Sequence, residues 1–353
     1  MTILFFTRRF YPLIGGVEKH VLEIGKRLVK KGAKVIVITE YENNTNKENQ
    51  QLVPLDTIFE GIEIIRIEVG AEGRYKKFRI WLELLRHIKV ISSANIVHCH
   101  DIFFWYLPFR FIFLNKPVYT TFHGYEGNNM PNKKSIFMHR LAEKLSWGNI
   151  CVGDFFKKWY YTKPTIVTYG AVNYIYRGKE KSYDKNLIIF VGRLEEETGI
   201  MEYLKAFNEI QKKYKKLKLV VLGDGSQMSK AKEFVENNKL NVEFKGFVKN
   251  IGIDLERASF VFVSRYLGIL ESLMSKKFVL AVYNNKIKKD YLQMTPFARF
   301  ISISKNSNEI SNQLERYILN EKEKEFKVNK GYNWVKNQTW EEMVSIYLKL
   351  WKM

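Results

Sequence analysis

The sequence predicts an α/β protein made of two doubly wound halves, in each of which helices cover a parallel sheet. Apolar strand-like runs alternate with amphipathic helix-like runs from residue 3 to residue 152, and the same alternation restarts near Leu187. The length of 353 residues also favours two domains. Because such sheets bind ligands beyond the carboxyl ends of their strands, we expect functional residues in the loops that follow the strands.

The first half begins with a strand, a helix and a second strand at residues 3–7, 18–31 and 34–39. Apolar residues recur at helical spacing in the middle segment, while the two flanking runs are short and apolar. The same criteria predict further strands at 62–67, 96–98, 118–122 and 149–152, and helices at 76–91 and 133–146. A polar, Asn-rich segment at 42–51 predicts a surface loop.

The second half repeats the pattern. Strands are predicted at 187–191, 218–222, 242–245 and 260–263, and helices at 199–213, 229–237 and 270–275. An amphipathic helix follows at 340–351. No internal period of about 20–50 residues is present, which disfavours solenoids and propellers.

Composition excludes several classes of protein. Hydrophobic residues make up 46% and charged residues 27% of the chain, which excludes a disordered or low-complexity protein. The formal net charge of +21 favours phosphate-bearing partners. The basic excess is divided almost equally between residues 1–168 and 169–353, which disfavours a dedicated nucleic-acid groove. We therefore expect no nucleic-acid partner.

Cysteine usage and hydropathy indicate a cytoplasmic location. Cys99 and Cys151 each lie in an apolar strand-like run, which is typical of buried thiols in a reducing compartment. Residues 1–9 place their charges after a short apolar run, the reverse of a secretory signal. The most apolar stretch, 102–114, is too short to cross a bilayer and is interrupted by a proline and an arginine.

Residues 76–89 allow two interpretations. Basic residues lie beside Trp81 and Leu85 on one helical stretch, which is typical of a helix that binds an anionic membrane surface. The alternative is a helix whose apolar face simply packs on the sheet. The first interpretation predicts a peripheral contact at the inner face of the cell membrane.

Three loops after predicted strands carry residues suited to an anionic ligand. Gly15 and Gly16 precede the first helix, where backbone N–H groups and the helix dipole favour an anion. Arg193 is suited to clamp a diphosphate through charge-assisted hydrogen bonds. Glu271 is predicted in the first turn of a later helix. The alternatives are a plain turn for the glycines, a surface ion pair for Arg193 and a helix cap for Glu271.

Three histidines have informative neighbours. His98 and His100 alternate along one strand, so their imidazoles share a face, and metal ligation is conceivable there. His123 lies at the carboxyl end of a strand, where we favour a functional role over core packing. The sequence has no Asp-x-Asp pair, so we expect no metal on a nucleotide diphosphate. It also lacks a P-loop and a Gly-x-Ser-x-Gly elbow, which disfavours phosphoryl transfer and serine hydrolysis.

Seven motifs, each weak alone, resemble those of glycosyltransferase family 4 in order and spacing. They are Gly15-Gly16-Val17-Glu18, Val97-His98-Cys99-His100-Asp101, Thr121-Phe122-His123-Gly124, Gly192-Arg193-Leu194, Gly223-Asp224-Gly225, Phe244-Lys245-Gly246-Phe247-Val248 and Glu271. The resemblance covers nearly the whole chain. It implies a GT-B fold, in which two Rossmann-like domains at 1–170 and 171–335 face a cleft and a C-terminal helix at 336–353 crosses back to the first domain.

The resemblance also implies which residues bind a nucleotide-sugar donor. Gly16 would offer its backbone to the donor phosphate, and Arg193 would hold the diphosphate. Glu271 would accept hydrogen bonds from the ribose hydroxyls. Gly246 and Phe247 lie where the family holds the base. All five positions match the family's motifs in this sequence.

On the other side of the site, the resemblance implies that His123 contacts the donor sugar near the reacting carbon. It places Glu18 towards the acceptor, and Asp101 is an acceptor-side candidate whose alternative is to cap the next helix. Neither is an obvious carboxylate nucleophile. We therefore favour same-face attack, in which the leaving diphosphate takes the proton of the acceptor.

Two departures from the family's pattern affect the donor side. Thr198 stands where the family usually has a lysine, so one cation for the diphosphate is lost. The loop before Glu271 is shorter and lacks the family's first glutamate. Either the backbone of Gly268 and Ile269 supplies the missing contacts or the donor is unusual. Thr198 and Leu270 are also assigned to the donor side.

The function implied is that of a retaining hexosyltransferase. It would move a sugar from a nucleotide diphosphate sugar to a glycan or lipid-linked acceptor, with no cofactor and no metal. Two alternatives remain at this point. One is a GT-B protein that binds a nucleotide sugar or a glycan without catalysis, and the other is a nucleotide-sugar epimerase.

Overall fold

A computed structural model describes residues 1–13, 15–41, 56–70, 73, 75–125, 130–173 and 183–353. The described residues form two compact units. Unit 1 comprises Met1–Tyr125, Pro131–Thr168 and Trp340–Met353, and unit 2 comprises Tyr169–Thr339 together with Met130. The surface loop predicted at 42–51 lies outside the described residues.

Unit 1 contains an eight-stranded sheet in the order β3-β4-β2-β1-β5-β6-β7-β8. Its elements up to residue 168 are β1 (Thr2–Thr7), α1 (Gly16–Lys30), β2 (Lys34–Glu40), β3 (Asp56–Phe59), β4 (Ile62–Ile67), α2 (Lys76–Arg86), α3 (Ile88–Ser93), β5 (Ile96–His100), α4 (Phe103–Ile112), β6 (Val118–Phe122), α5 (Lys133–Leu145), β7 (Gly148–Val152), α6 (Phe155–Trp159) and β8 (Ile166–Thr168). β3 runs antiparallel to β4, and every other neighbouring pair is parallel.

Unit 2 contains a six-stranded, fully parallel sheet in the order β11-β10-β9-β12-β13-β14. Its elements are β9 (Leu187–Val191), a 3-10 turn (Glu196–Thr198), α7 (Ile200–Lys213), β10 (Lys218–Leu222), α8 (Met228–Asn237), β11 (Val242–Gly246), α9 (Gly252–Arg257), β12 (Phe260–Phe262), α10 (Tyr266–Met274), β13 (Phe278–Val282), α11 (Lys286–Gln293), a second 3-10 turn (Ala298–Phe300), β14 (Ser302–Ser304), α12 (Ser307–Leu319) and α13 (Glu321–Val335). Counted within the unit, this order is 3-2-1-4-5-6, that of dinucleotide-binding sheets. The predicted fold of two doubly wound halves is confirmed.

Each sheet has a topological switch point, between β1 and β5 in unit 1 and between β9 and β12 in unit 2. Strands at such points are covered on both faces, which explains why their sequences are continuous apolar runs. In unit 2, for example, the rings of Tyr203 and Phe262 stack with their centroids 4.8 Å apart. A switch point leaves a crevice at the carboxyl ends of its two strands, so each sheet offers one place for a ligand.

The last helix, α14 (Trp340–Leu350), belongs to unit 1 and packs against α1. Its buried side chains recur at helical spacing and are Trp340, Met343, Val344, Tyr347 and Leu350. On the rim of this contact, Arg27 Nε donates to Glu341 Oε1 at 2.8 Å. The helix that follows unit 2 in sequence therefore completes the core of unit 1.

One predicted helix of unit 1 is divided in two, and an apolar stretch forms another helix. The helix predicted at 76–91 is two helices, α2 and α3, with His87 between them. The apolar stretch at 102–114 contains α4, which accommodates Pro108 inside the helix. No helix in the described ranges is long and apolar enough to cross a membrane. Both cysteines are buried free thiols, as predicted, and burial raises the pKa of each.

Candidate active site

Two guanidinium groups meet at the carboxyl edge of the unit 2 sheet. Arg193 follows β9, Arg265 follows β12, and these two strands are neighbours. The Nη2 atoms of Arg193 and Arg265 lie 3.0 and 3.5 Å from the same oxygen, Glu197 Oε1. The Arg193 side chain is 66% exposed. The ion pair foreseen as the alternative for Arg193 is thus present, and it leaves two cations beside one carboxylate.

Close backbone contacts join three loops at this edge. Gly192 and Gly223 follow β9 and β10 with φ values of +152° and +148°. A β-carbon at Gly223 would collide with the carbonyl oxygen of Gly192, so only glycine fits there. The Gly223 N–H donates to the carbonyl of Gly246, at the end of β11, at 2.8 Å. These close backbone contacts leave no room for a side chain at Gly223.

The loop after β11 exposes an aromatic ring. Gly246 has a φ of +67°, and a β-carbon there would meet no atom of the described residues within 4 Å. The side chain of Phe247 is 62% exposed. The residues assigned to the nucleotide base therefore lie at an open surface, where a planar group can stack on the ring.

Thr198 holds the turn before α7 together and does not present its side chain to a ligand. Its hydroxyl lies 2.7 Å from the carbonyl oxygens of both Arg193 and Glu195, and the residue is buried. Glu195 and Thr198 also form a reciprocal capping box. The hydroxyl of Thr198 is thus used within the turn, and the assignment of Thr198 to donor binding stays a prediction. The hydroxyl fixes the backbone between Arg193 and α7.

A buried lysine that sequence analysis missed supports the same turn. Lys288 Nζ, on α11, donates a short hydrogen bond to the carbonyl oxygen of Glu197. The pKa of Lys288 is lowered to about 7, mainly by burial and also by the nearby charge of Arg265, and Glu197 opposes both effects. The available signal was helical spacing, which puts Lys288 on the same face as Tyr291 and Leu292.

Helix α10 starts earlier than predicted, which changes the position of Glu271. The helix begins at Tyr266, whose N–H donates to the hydroxyl of Tyr291 at 3.0 Å. Glu271 therefore lies in the second turn, half-buried, and the prediction of a first-turn or capping carboxylate is wrong. Ile269 is buried and its N–H donates to Arg265 O, so it has no free backbone donor.

The other two predicted backbone contacts in α10 differ from each other. Gly268 lies in the first turn, where backbone N–H groups lack a partner within the helix. A β-carbon at Gly268 would lie 2.6 Å from Val263 Cγ2, so glycine lets the helix pack closely on the strand end. Leu270 is fully buried and presents no polar side-chain atom. Of the three predicted contacts, Gly268 alone retains a suitable position.

At the carboxyl edge of unit 1, α1 begins at Gly16 with Gly15 as its N-cap residue. Gly16 is exposed, and a β-carbon there would meet no described atom within 4 Å. The Glu18 carboxylate folds back against Gly15, where a β-carbon would otherwise lie. Glu18 is thus at the third helical position, from which a glutamate stabilises its own helix N-terminus.

Asp101 links the loops that follow β5 and β6. Its Oδ1 accepts a hydrogen bond from the backbone N–H of His123 at 2.8 Å. Its backbone has a φ of +62°, a strained conformation for a residue with a side chain, which costs about 1–3 kcal/mol. The strain is maintained by the surrounding fold, and its effect is to fix the position of the His123 backbone.

Four histidines, His20, His98, His100 and His123, form a cluster around the ends of β5 and β6. His100 Nδ1 lies 2.9 Å from His123 Nε2. The rings of His98 and His100 stack with centroids 5.0 Å apart, as their strand alternation predicts. The ring of His20, from α1, meets that of His123 nearly edge-on, at 4.7 Å and 80°. We refer to this group as the histidine cluster.

The histidine cluster is uncharged at neutral pH. Burial is the largest cause in every case, and it lowers the pKa of His20 to about 3. Burial and the neighbouring imidazoles lower the pKa values of His98, His100 and His123 well below the usual range. Each ring then has one N–H donor and one acceptor nitrogen, so hydrogen-bond partners decide which nitrogen carries the proton.

Three of these histidines have sequence neighbours that single them out, whereas His20 does not. The available signal was helical spacing, since His20 lies on the buried face of α1 with Val21 and Ile24. Within the residues that the structure describes, no group of three or more histidine, cysteine or acidic side chains is arranged to hold a metal ion. The histidines instead hydrogen-bond to one another and to neighbouring side chains.

Comparison with known proteins identifies the class. Residues 14–169 match the model of Glycosyltransferase Family 4, and residues 175–334 match the model of Glycosyl transferases group 1. The solved structure of Anabaena HepE with UDP and glucose aligns over 100% of both chains with a TM-score of 0.77 and 12% identity. The chain is a glycosyltransferase with the GT-B fold.

Two curated relatives extend this comparison. An uncharacterized glycosyltransferase of Methanocaldococcus jannaschii is 24% identical over 95% of this chain and 93% of its own. A GDP-mannose:cellobiosyl-diphosphopolyprenol alpha-mannosyltransferase of Xanthomonas campestris is 22% identical over 65% of this chain and 62% of its own. The comparisons give no support to a non-catalytic binder or to an epimerase.

Proposed function

We propose that this glycosyltransferase moves a hexosyl group from a nucleoside diphosphate sugar to a glycan or lipid-linked acceptor, with retention of configuration and without a metal ion. The observation that carries the proposal is the pair of guanidinium groups on Glu197 at the switch point of unit 2. The acceptor class is supported by the name of the Xanthomonas relative, which acts on a diphosphopolyprenol-linked sugar.

The donor diphosphate replaces the Glu197 carboxylate between Arg193 and Arg265. Both arginines contact an oxygen of the Glu197 carboxylate, and a diphosphate offers more oxygens and more charge. When the bond to the sugar breaks, negative charge grows on the diphosphate, and fixed guanidinium groups stabilise it. The lysine that the family's pattern would place at Thr198 is replaced in this role by Arg265.

Other loops supply the remaining donor contacts of the proposal. The first turn of α10, which contains Gly268, adds a helix dipole of the correct sign for an anion. Glu271 accepts from the ribose hydroxyls, and the base stacks on the exposed ring of Phe247. The backbone of Gly16, at the open N-terminus of α1, offers a further donor to the phosphate.

At the sugar, His123 orients the donor and interacts with charge that develops near the reacting carbon. A two-step mechanism would need a carboxylate nucleophile. The two candidates in unit 1 are otherwise engaged, since Glu18 lies against the start of its own helix and Asp101 accepts from His123 N–H. We therefore propose same-face attack. The acceptor oxygen bonds to the anomeric carbon as the diphosphate leaves, and the diphosphate takes the acceptor proton.

A lipid-linked acceptor requires access to a membrane, and α2 supplies a suitable surface. Phe78, Leu82 and Leu85 are exposed at positions i, i+4 and i+7, and the exposed cations Lys77 and Arg86 flank them. Trp81, which sequence analysis placed on this surface, instead donates from Nε1 to a backbone carbonyl on α4. We propose a cytoplasmic protein that binds the inner face of the membrane through α2.

Replacing the three apolar residues of α2 by serine (F78S/L82S/L85S) is expected to reduce co-sedimentation with anionic lipid vesicles at least fivefold. The matched control is Leu319→Ser, which removes a leucine that is 74% exposed in unit 2. The control is expected to bind vesicles like the parent protein. Equal binding of the parent protein to neutral and anionic vesicles would exclude this membrane contact.

The function itself is tested by screening nucleoside diphosphate sugars for thermal stabilisation, followed by transfer assays in the presence of EDTA. A true donor at 100 times its dissociation constant stabilises the protein by about 2.7 kcal/mol. We expect stabilisation by one donor family and transfer that persists with the chelator. Stabilisation without transfer to any glycan or lipid-linked acceptor would contradict the proposal, and so would transfer that EDTA abolishes and Mg²⁺ restores.

A further inference from the structure

We propose that Tyr347, on the C-terminal helix, is a positioning residue for His123 and acts through His20. This inference rests on the proposed role of His123 in sugar transfer. Its basis is a continuous run of hydrogen bonds inside unit 1 that begins at Trp351, passes through His98, Thr121 and Tyr347, and ends at His20.

The direction of the run is set by its first member. An indole N–H can only donate, and Trp351 Nε1 lies 3.1 Å from His98 Nδ1. The neutral His98 ring must then carry its proton on Nε2, which lies 2.7 Å from Thr121 Oγ1. His98 therefore donates to Thr121.

The hydroxyl groups of Thr121 and Tyr347 continue the same order of donor and acceptor as far as His20. Tyr347 OH lies 2.9 Å from Thr121 Oγ1 and 2.9 Å from His20 Nε2. Since Thr121 already accepts from His98, its own proton points to Tyr347, and the Tyr347 proton points to His20 Nε2. This is the arrangement in which every hydroxyl proton is used. It fixes the proton of His20 on Nδ1.

The ring of His20 packs directly against the ring of His123 and limits where that ring can lie. The centroids of the His20 and His123 rings are 4.7 Å apart, and the rings meet nearly edge-on. The indole of Trp340 also packs against His20, with the ring centroids 5.4 Å apart. A hydrogen bond from Tyr347 holds the His20 ring against rotation about its side-chain bonds. Without that hydrogen bond, the His20 ring beside His123 can rotate.

The other contact of His123 completes the pattern of protons. His100 Nε2 is buried and has no partner among the described residues. An unpaired acceptor is less costly than an unpaired N–H donor, so His100 carries its proton on Nδ1 and donates to His123 Nε2. The proton of His123 is then on Nδ1. The structure thus assigns one tautomer to each ring of the histidine cluster: Nε2–H for His98 and Nδ1–H for His20, His100 and His123.

A purely structural role for Tyr347 makes a different prediction from a positioning role. Its ring stacks on His98 at 4.8 Å and is fully buried, so most of its contribution to packing is kept in Tyr347→Phe. That variant removes only the hydroxyl. Loss of packing would lower stability without changing the proton position on any histidine.

The test uses the full chain labelled with ¹⁵N-histidine, whose long-range ¹H–¹⁵N spectra report the tautomer of each ring. The wild-type protein is expected to show the four tautomers assigned above. In Tyr347→Phe, His20 is expected to lose its single Nδ1–H tautomer, and kcat is expected to fall about tenfold or more, with less than a twofold change in donor KM. The control is Tyr106→Phe, which removes a buried hydroxyl of unit 1 that has no partner among the described residues. It is expected to leave the spectra and kcat unchanged.

Full kcat in Tyr347→Phe would overturn the proposal, as would an unchanged His20 tautomer or an equal loss of kcat in the control. If Tyr347→Phe does not fold, Trp351→Phe takes its place, with release of the His98 tautomer and the same fall in kcat expected. Failure of the proposed function is recognised separately. If His123→Ala keeps full kcat, the role of His123 is wrong whatever the spectra show, whereas loss of kcat in His123→Ala but not in Tyr347→Phe refutes the positioning role alone.

Discussion

The carboxyl edges of the two sheets have the same topology and opposite chemistry. At the edge of unit 2, charged groups predominate, with two arginines on one glutamate and a buried lysine beneath the turn. At the edge of unit 1, three imidazoles are buried, that of His123 is half-buried, and all four are neutral. The same doubly wound scaffold therefore supplies one surface that binds an anion and one that holds uncharged polar groups in fixed positions. We therefore expect substitutions at the unit 2 edge to change donor affinity and substitutions at the unit 1 edge to change kcat.

The largest expected effect is that of His123→Ala at the unit 1 edge. Because His123 interacts with the transition state more than with the bound donor, kcat is expected to fall by about 10²-fold or more. Nucleotide affinity, measured by isothermal titration calorimetry, is expected to change little. An unimpaired kcat in this variant would contradict the division between the two edges.

At the unit 2 edge, Arg193→Ala is expected to weaken donor binding by about 10–100-fold, since a hydrogen bond to a charged group contributes about 1.5–3 kcal/mol. Arg265→Ala is expected to act in the same direction. Arg316→Ala is the matched control, because the exposed side chain of Arg316, on α12 of unit 2, also pairs with a glutamate, Glu323, at 2.8 Å. Equal donor affinity in Arg193→Ala and the control would show that the diphosphate binds elsewhere.

Glu271→Ala is expected to give a smaller effect of the opposite kind to that of His123→Ala. Loss of the ribose contact should raise the nucleotide dissociation constant about tenfold and leave kcat nearly unchanged, since the ribose does not react. Steady-state kinetics with the donor as varied substrate measure both quantities. A fall in kcat at unchanged KM would place Glu271 at the reacting sugar instead of the ribose.

The two edges are also expected to respond to pH in different ranges. His20 has a folded pKa of about 3 against 6.5 in the unfolded chain, so stability from unit 1 falls as pH decreases from 6.5 towards 3. Lys288 has a folded pKa of about 7 against 10.5 when unfolded, so the unfolded chain binds more protons between these values. Stability from unit 2 therefore rises with pH from about 7 to 10.5.

Thermal unfolding midpoints measured from about pH 7 to 10.5 test the rise in stability that Lys288 is expected to cause. Lys288→Met is expected to flatten the rise above pH 7, and Lys286→Met, an exposed lysine on the same helix, is expected to leave it as in the parent protein. An unchanged slope in Lys288→Met would show that another group causes the rise.

The fold could be predicted from sequence because buried parallel strands leave a strong local signal. Runs such as Leu187–Val191 and Lys218–Leu222 are apolar and short, and both have the predicted bounds. The start of α10 could not be predicted, since its first N–H donates to Tyr291, a residue 25 positions away. That tertiary hydrogen bond moved the helix start to Tyr266 and put Glu271 in the second turn.

Some residues of the candidate site could likewise be predicted from sequence, and others could not. His98, His100, His123 and Arg193 could be found because each lies in a strand that is visible in the sequence or in the loop that follows such a strand. The contact between His20 and Tyr347 joins residues 327 positions apart, and Lys288 reaches a carbonyl 91 positions away. Nothing in the local pattern specifies which distant group will approach these side chains, so only the folded chain shows their partners.

The central claim, retaining transfer by same-face attack, is tested most directly by the anomeric configuration of the first-formed product. NMR of the product from a donor of known configuration measures it through the coupling constant of the anomeric proton. We predict the same configuration in donor and product. A product of inverted configuration would contradict the proposed chemistry.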